Sequence, residues 1–152
     1  MTSVHLPEGY ELSDDPARID LDVVWGYLST DAYWGRWRTR DEVRAQVDGA
    51  WRVVGAYDPD GLHVGFGRAL SDGVALAYLA DVFVLPEHRG RGLSKAMVRL
   101  MVDDGPGAQF RWMLHTRDAH GLYARAGFAA PDETYVERPA RGSRARTPPP
   151  PD

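Results

Sequence analysis

The chain has 152 residues and no cysteine. Disulfides, thiolate nucleophiles and cysteine-bound metals are therefore excluded. Lysine is nearly absent too, Lys95 being the only one, so arginine carries almost all of the positive charge. No apolar run approaches the roughly 18 residues of a membrane span, and no basic start leads into an apolar stretch of the secretory type. A net positive charge is also missing. The formal value of −4 leaves no general footprint for nucleic acid or an anionic membrane. These absences set the expectation of a soluble cytoplasmic protein with neither a nucleic-acid nor a membrane partner.

What is present suits one globular domain, with 43% hydrophobic residues to form a core. We place that domain at residues 1–138. Residues 139–152, PARGSRARTPPPPD, are rich in arginine and proline and almost free of apolar side chains. Such a segment buries too little surface to offset its ordering entropy and reads as disordered. A polyproline ligand for a partner is the alternative.

The apolar pattern predicts an α+β fold. Tyr10 to Ser13 reads as a first strand. Asp20 caps a helix to Ser29, with Leu21, Val24, Trp25 and Leu28 on one face. Thr39-x-x-Glu42 is a capping box opening a second helix with Val43, Val47 and Ala50 as its stripe. Strands at 52–57 and 62–70 flank the turn Asp58-Pro-Asp-Gly61. After Ser71-Asp-Gly73 comes a long apolar run, 74–85, broken only by Asp81, which reads as a central strand. A helix over 94–102, a strand over 110–116, a helix over 119–126 stopped by Gly127, and a last strand at 135–138 complete the order. The sheet is expected to be mostly antiparallel with one crossover.

The most informative stretch follows the long strand: Val84-Leu-Pro-Glu-His-Arg89-Gly-Arg-Gly92-Leu-Ser94-Lys95. It brings backbone amides, two arginines and a helix N-terminus to one small volume, which suits a phosphate. The P-loop pattern is absent, and Gly90-x-Gly92-x-x-Lys95 lacks the third glycine of the dinucleotide fingerprint. Glycines alone would read as a turn before a surface helix. In context, Arg89-x-x-Gly92-x-Ser94 behind an apolar strand resembles the acyl-CoA loop of the GNAT family of N-acetyltransferases, Gln/Arg-x-x-Gly-x-Gly/Ala, with serine departing at the last place. Leu122-Tyr123 followed by Gly127-Phe128 resembles the family's later helix.

The resemblance, spanning about residues 10–138, implies a GNAT-type acyltransferase fold. Its mixed sheet is splayed between 74–85 and 110–116 and flanked by helices. It implies acetyl-CoA as cosubstrate, with the pantetheine arm along Phe83, Val84 and Leu85 and the pyrophosphate on the amides of Arg89, Gly90, Arg91, Gly92, Leu93 and Ser94. Arg89 and Arg91 would add charge-assisted bonds. An amide near Val84 would stabilise the oxyanion.

The implied reaction is direct attack by the amine of a small molecule or peptide on the acetyl group. Tyr123 matches the family's general acid. Asp81 is the carboxylate candidate for base, its pKa expected to rise on burial; a structural aspartate satisfied by backbone or arginine, or one that orients the acceptor, is the alternative. Tyr33, Trp34, Arg36, Trp37 and Arg38 read either as core with a solvated face or as an acceptor wall. Aromatics there favour a cation and arginines an anion. His120 is a candidate for the acceptor pocket. His115 and His120, with Asp118 between them across a strand-to-helix change, have no third strong ligand beside them, so no metal is expected, and Asp118 reads as a helix cap. A non-catalytic acyl-CoA-binding regulator is the competing class, and the protein is expected as a monomer or homodimer.

Overall fold

The computed structural model describes residues 5–32 and 37–142. Five strands form one sheet: β1 (Glu11–Ser13), β2 (Arg52–Tyr57), β3 (His63–Ser71), β4 (Leu76–Val84) and β5 (Arg111–Met113). They lie in sequence order, antiparallel throughout except for the parallel pair β4–β5. The helices are α1 (Leu21–Thr30), α2 (Arg40–Asp48), α3 (Leu93–Val102) and α4 (His120–Arg125). This is the α+β, mixed but mostly antiparallel architecture the sequence predicts.

Local chemistry sets the element ends. Asp20 accepts the Asp22 amide at 2.9 Å and starts α1. Thr39 and Glu42 exchange both bonds of the capping box that starts α2. Asp58 Oδ1 holds the amides of Asp60 and Leu62, and Gly61 supplies the left-handed residue that closes the β2–β3 hairpin. Asp72 Oδ1 likewise holds the amides of Val74, Ala75 and Leu76. Those amides are therefore lost to a ladder, and β4 begins at Leu76 rather than at Val74.

Period-two alternation, reset at two bulges, sends neighbouring residues into two cores. The first bulge, at Ala56 and Tyr57, leaves Val64 without a partner on β2 and parts it from Phe66. Val54, Val64 and Leu79 meet Leu93, Met97 and Met101 of α3, whereas Val53, Phe66 and Phe83 meet Val24 and Leu28 of α1. Leu79 and Phe83 are four apart, so plain alternation would put them on one face. They part because Asp81 and Val82 together oppose the single residue Gly67, a β-bulge that flips the pattern.

Two expectations fail at the far edge. β5 ends at Met113, not at residue 116, since it pairs only with Leu76, Ala77 and Tyr78. Residues 135–138 form no strand. Val136 is 88% exposed and the Tyr135 amide turns back to the Asp132 carbonyl, so this short apolar pair has no sheet face to cover. Among the described residues no helix is long and apolar enough to cross a membrane.

Met97 is 1% exposed and sits over the backbone of β3, where a methyl group built on Gly65 would come within 3.1 Å of its sulfur. Met97→Ala is expected to cost about 2–5 kcal/mol. The check is a lower denaturant midpoint at unchanged slope.

Candidate functional site

The phosphate-like loop is built as a cradle. A short 3-10 turn, Pro86–His88, leads from β4, and Gly90 and Gly92 then take left-handed φ values of 76° and 81°. Gly92 is the residue before α3, and no side chain caps that helix. Its first amides therefore face outward with the positive end of the helix dipole. A cavity of about 370 Å³ opens there, lined by Val84, Gly90, Gly92, Leu93, Ser94 and Lys95 on one side and by Gly121, Leu122 and Arg125 of α4 on the other. A methyl group added at Gly90 or Gly92 would meet nothing within 4 Å, so both are glycine for backbone conformation rather than for space.

Arg89 is the latch of this loop. Its Nε donates to the Val84 carbonyl at 3.1 Å and its Nη2 to the Tyr27 hydroxyl at 2.9 Å. The Tyr27 ring in turn stacks on Phe83 at 4.2 Å. The Leu85 amide bonds Val64, and Phe83 faces Phe66, so the antiparallel alternation turns the Val84 N–H and C=O away from β3. Arg89 takes that carbonyl. The Val84 N–H points toward the side where β5, already ended, leaves β4 without a partner.

A second cavity, of about 450 Å³, lies along the same edge of β4. Its walls include Tyr78, Asp81 and Val82 of β4, Arg38 and Arg68, His115, and Tyr123 of α4. Asp81 is 8% exposed and its φ is +56°, left-handed for a residue with a side chain, a strain of roughly 1–2 kcal/mol. Its carboxylate compensates by gathering two guanidiniums. Arg38 bonds both oxygens at 2.7 and 2.9 Å, and Arg68 Nε adds a bond at 2.7 Å. Burial pushes this carboxyl up, but the Arg38 hydrogen bonds and the Arg68 charge outweigh it and hold it below the ordinary carboxylate range. The expected rise in pKa is thus corrected, because both oxygens are already spent on arginine. Of the alternatives for Asp81, the geometry matches the arginine-satisfied carboxylate.

Tyr123 reaches this cavity through backbone design. The Phe128 amide bonds the Tyr123 carbonyl at 3.0 Å, the Gly127 amide bonds Ala124 at 3.1 Å, and Gly127 has φ 90°. This is a Schellman close, completed by the edge-on contact of Phe128 with the Tyr123 ring at 5.8 Å. The spacing Tyr-x-x-x-Gly-Phe is therefore the geometry that seats Tyr123, 9% exposed, in the cavity wall.

Other sequence candidates are placed differently. Phe83 is a core side chain whose backbone polar groups pair with β3, so of Phe83 to Leu85 only Val84 turns its amide to the open edge. The Arg91 guanidinium lies over the Tyr10 ring at 5.8 Å, and Arg91 does not line the loop cavity. His120 is exposed and lines neither cavity, since it opens α4 on the solvent side. Asp118 lines the larger cavity but does not cap α4, where Thr116 Oγ1 accepts the Ala119 amide instead. Tyr33, Trp34 and Arg36 lie outside the described residues. Among the described residues no group of three or more His, Asp or Glu is placed to hold a metal ion.

Sequence reasoning missed Lys95 and Arg125, the cations at the rim of the loop cavity, and Arg68 and Tyr78 in the larger one. Lys95 had a signal, its place in the first turn after the loop. Arg68 had none, because a strand arginine reads as solvent-facing until its partner is known.

Comparison with known proteins agrees with this geometry. The sequence model of the acetyltransferase (GNAT) family matches residues 20–128. A GNAT-family protein of Xanthomonas campestris pv. campestris is 39% identical, with 90% of this chain and 96% of that one covered at a TM-score of 0.80. A candidate acetyltransferase of Gibberella zeae is 28% identical over 138 residues, covering 76% of each chain. Glucosamine-6-phosphate N-acetyltransferase of Arabidopsis thaliana, 12% identical, shares the fold at a TM-score of 0.60 over 86% of this chain and 99% of its own.

Asp81→Asn isolates the charge, because asparagine tolerates the left-handed backbone. It leaves two buried guanidiniums uncompensated and is expected to cost about 3–5 kcal/mol at pH 7. The folded pKa of Asp81 is lowered, so its stabilisation is complete above about pH 5 and is lost as pH falls toward that lowered value. The variant's stability should therefore fall less between about pH 5 and pH 2 than the wild type's, as read by chemical denaturation. Asp72, held low by the Ala75 amide, and Asp132, held low by the Thr134 hydroxyl, keep a residual slope in both proteins.

Proposed function

The chain belongs to the acetyltransferase (GNAT) family, and from that premise we propose that it transfers the acetyl group of acetyl-CoA to the amine of a small molecule or peptide. One observation carries the reading: the two cavities border the same unpaired edge of β4 and the same short helix. Val84 lines the loop cavity and Val82 the larger one, while α4 gives Leu122 to the first and Tyr123 to the second. A ligand anchored in the cradle by its diphosphate thus has a path along β4 toward the wall that holds Tyr123.

In this reading the diphosphate sits on the amides of Gly90 to Ser94, with Lys95 and Arg125 at its rim. Arg89 holds the loop in shape. The pantetheine arm bonds the β4 edge as an added strand, and the Val84 N–H meets the thioester oxygen as it becomes an oxyanion. The amine attacks the carbonyl carbon, the C–N bond forms, and the C–S bond breaks. Tyr123 offers its hydroxyl to the leaving sulfur. A phenol near pKa ~10 facing a thiol near ~8.5 makes full proton transfer uphill by roughly 2 kcal/mol. Tyr123 therefore strengthens a hydrogen bond to the sulfur, and solvent completes the protonation. Asp81 acts as a positioning residue that fixes Arg38 and Arg68 in the acceptor wall. With Arg117 they make three guanidiniums against Asp81 and Asp118, which favours an acceptor that carries an anionic group beside its amine.

Titration calorimetry with acetyl-CoA tests the cradle, and thiol release across amines, amino acids and peptides tests transfer. Tight binding with turnover of at least one acceptor is the expected result. Binding without any turnover would leave a coenzyme-binding regulator, and no binding would end the reading. Tyr123→Phe should lower kcat by about 10- to 100-fold. Its acetyl-CoA affinity should change less than about twofold, because a group acting only in the transition state adds little to ground-state binding.

A further inference from the structure

Where β5 ends, three residues far apart in sequence join in one chain of hydrogen bonds. The Tyr78 hydroxyl meets His115 Nδ1, and His115 Nε2 meets Glu137 Oε2 at 2.7 Å. The Tyr135 hydroxyl donates to the same Glu137 oxygen at 3.2 Å. A carboxylate only accepts, so Nε2 carries a proton, and in the neutral imidazole Nδ1 is left to accept from the Tyr78 hydroxyl. Tyr78 is the last β4 residue paired to β5, and it lines the larger cavity together with His115 and Tyr123. The proposed transfer requires that an acceptor ammonium lose a proton, and Asp81 is occupied by two arginines.

We propose that Tyr78, His115 and Glu137 form the proton relay that deprotonates the acceptor amine. This rests on the acetyltransfer reading above. The ammonium gives one proton to Tyr78 Oη as Tyr78 passes its own to His115 Nδ1. The resulting imidazolium is held by Glu137 and releases its proton to solvent through its exposed edge. The neutral amine then attacks. The second N–H proton leaves as the C–S bond breaks, and the thiolate gains one proton, so the sum is amide, thiol and one released proton. Other charged groups face the same space. Arg38, Arg68 and Asp81 stand across the cavity, Arg117 and Asp118 follow His115 in the chain, and Tyr123 looks in from α4. Glu137 and Tyr135 belong to the segment expected as a last strand, which gives that segment a use.

A merely structural tie between the C-terminal segment and the sheet would look similar, so the test must separate the two. Ethylamine is protonated at pH 7 and needs a base, whereas hydroxylamine is already neutral there. Thiol release from acetyl-CoA is measured with each probe at high concentration, above the uncatalysed background. His115→Gln and Tyr78→Phe should lower the ethylamine rate by about 100-fold, the scale of a general base. Both should leave the hydroxylamine rate within about threefold, because a neutral nucleophile needs no base before attack. Glu137→Gln should cost the ethylamine rate about tenfold, and each deficit should narrow as pH rises toward ~10.4, the range in which alkyl ammonium groups such as lysine's lose their proton. Acetyl-CoA affinity, read by calorimetry, should not change in any variant. Equal losses with both probes, or no loss with either, would overturn the relay and leave transfer standing. If neither probe is turned over, the same variants are read with an acceptor from the panel above; a wild type that binds acetyl-CoA but acetylates none of these amines would overturn the transfer reading, and the relay with it.

Discussion

Much of this molecule depends on one carboxylate holding two guanidiniums at a break in a strand. Asp81 sits left-handed in β4, opposite Gly67 together with Val82, and neither feature would persist without strong bonds. Arg38, just before α2, and Arg68, from β3, supply them. The bulge lets Leu79 join the α3 core and Phe83 the α1 core. It comes shortly after Tyr78, where the pairing of β4 with β5 stops. One buried ionic knot thus ties together both cores and the open edge of β4.

The open edge of β4 borders both cavities. Antiparallel pairing with β3 uses the polar groups of Phe83 and Leu85 and turns those of Val84 outward. Arg89 then takes the Val84 carbonyl and binds Tyr27, so the loop is held by α1 and β4 before any ligand arrives. A preformed cradle has little ordering entropy left to lose on binding. Tyr123 is seated in a similar way, by two backbone bonds of a helix end and the contact of Phe128 with its ring.

Local patterns were legible because their causes are local. The capping box at Thr39, the cap at Asp20, the turn at Asp58 and the helix stop at Gly127 each follow from residues within a few positions of one another. Arg89 and Gly92 marked the loop for the same reason. What was illegible depended on distant partners. Asp81 read as a carboxylate whose pKa burial would raise, and only the fold shows that Arg38, 43 residues away, reverses the sign. Where Arg91 and His120 lie, one over Tyr10 and the other toward solvent, was not legible either, since spacing along a loop or a short helix does not say which side faces a cavity. Tyr135 to Arg138 had the composition of a strand without a neighbouring edge to pair with.

Lys95 has a consequence of a different kind. It is the only lysine in the chain, and it lies at the mouth of the loop cavity. Reagents that modify primary amines thus meet a single side-chain target in this chain. A fluorophore or isotope installed there would report occupancy of the cradle directly. The protein therefore carries a native labelling handle at the spot where a label is most useful.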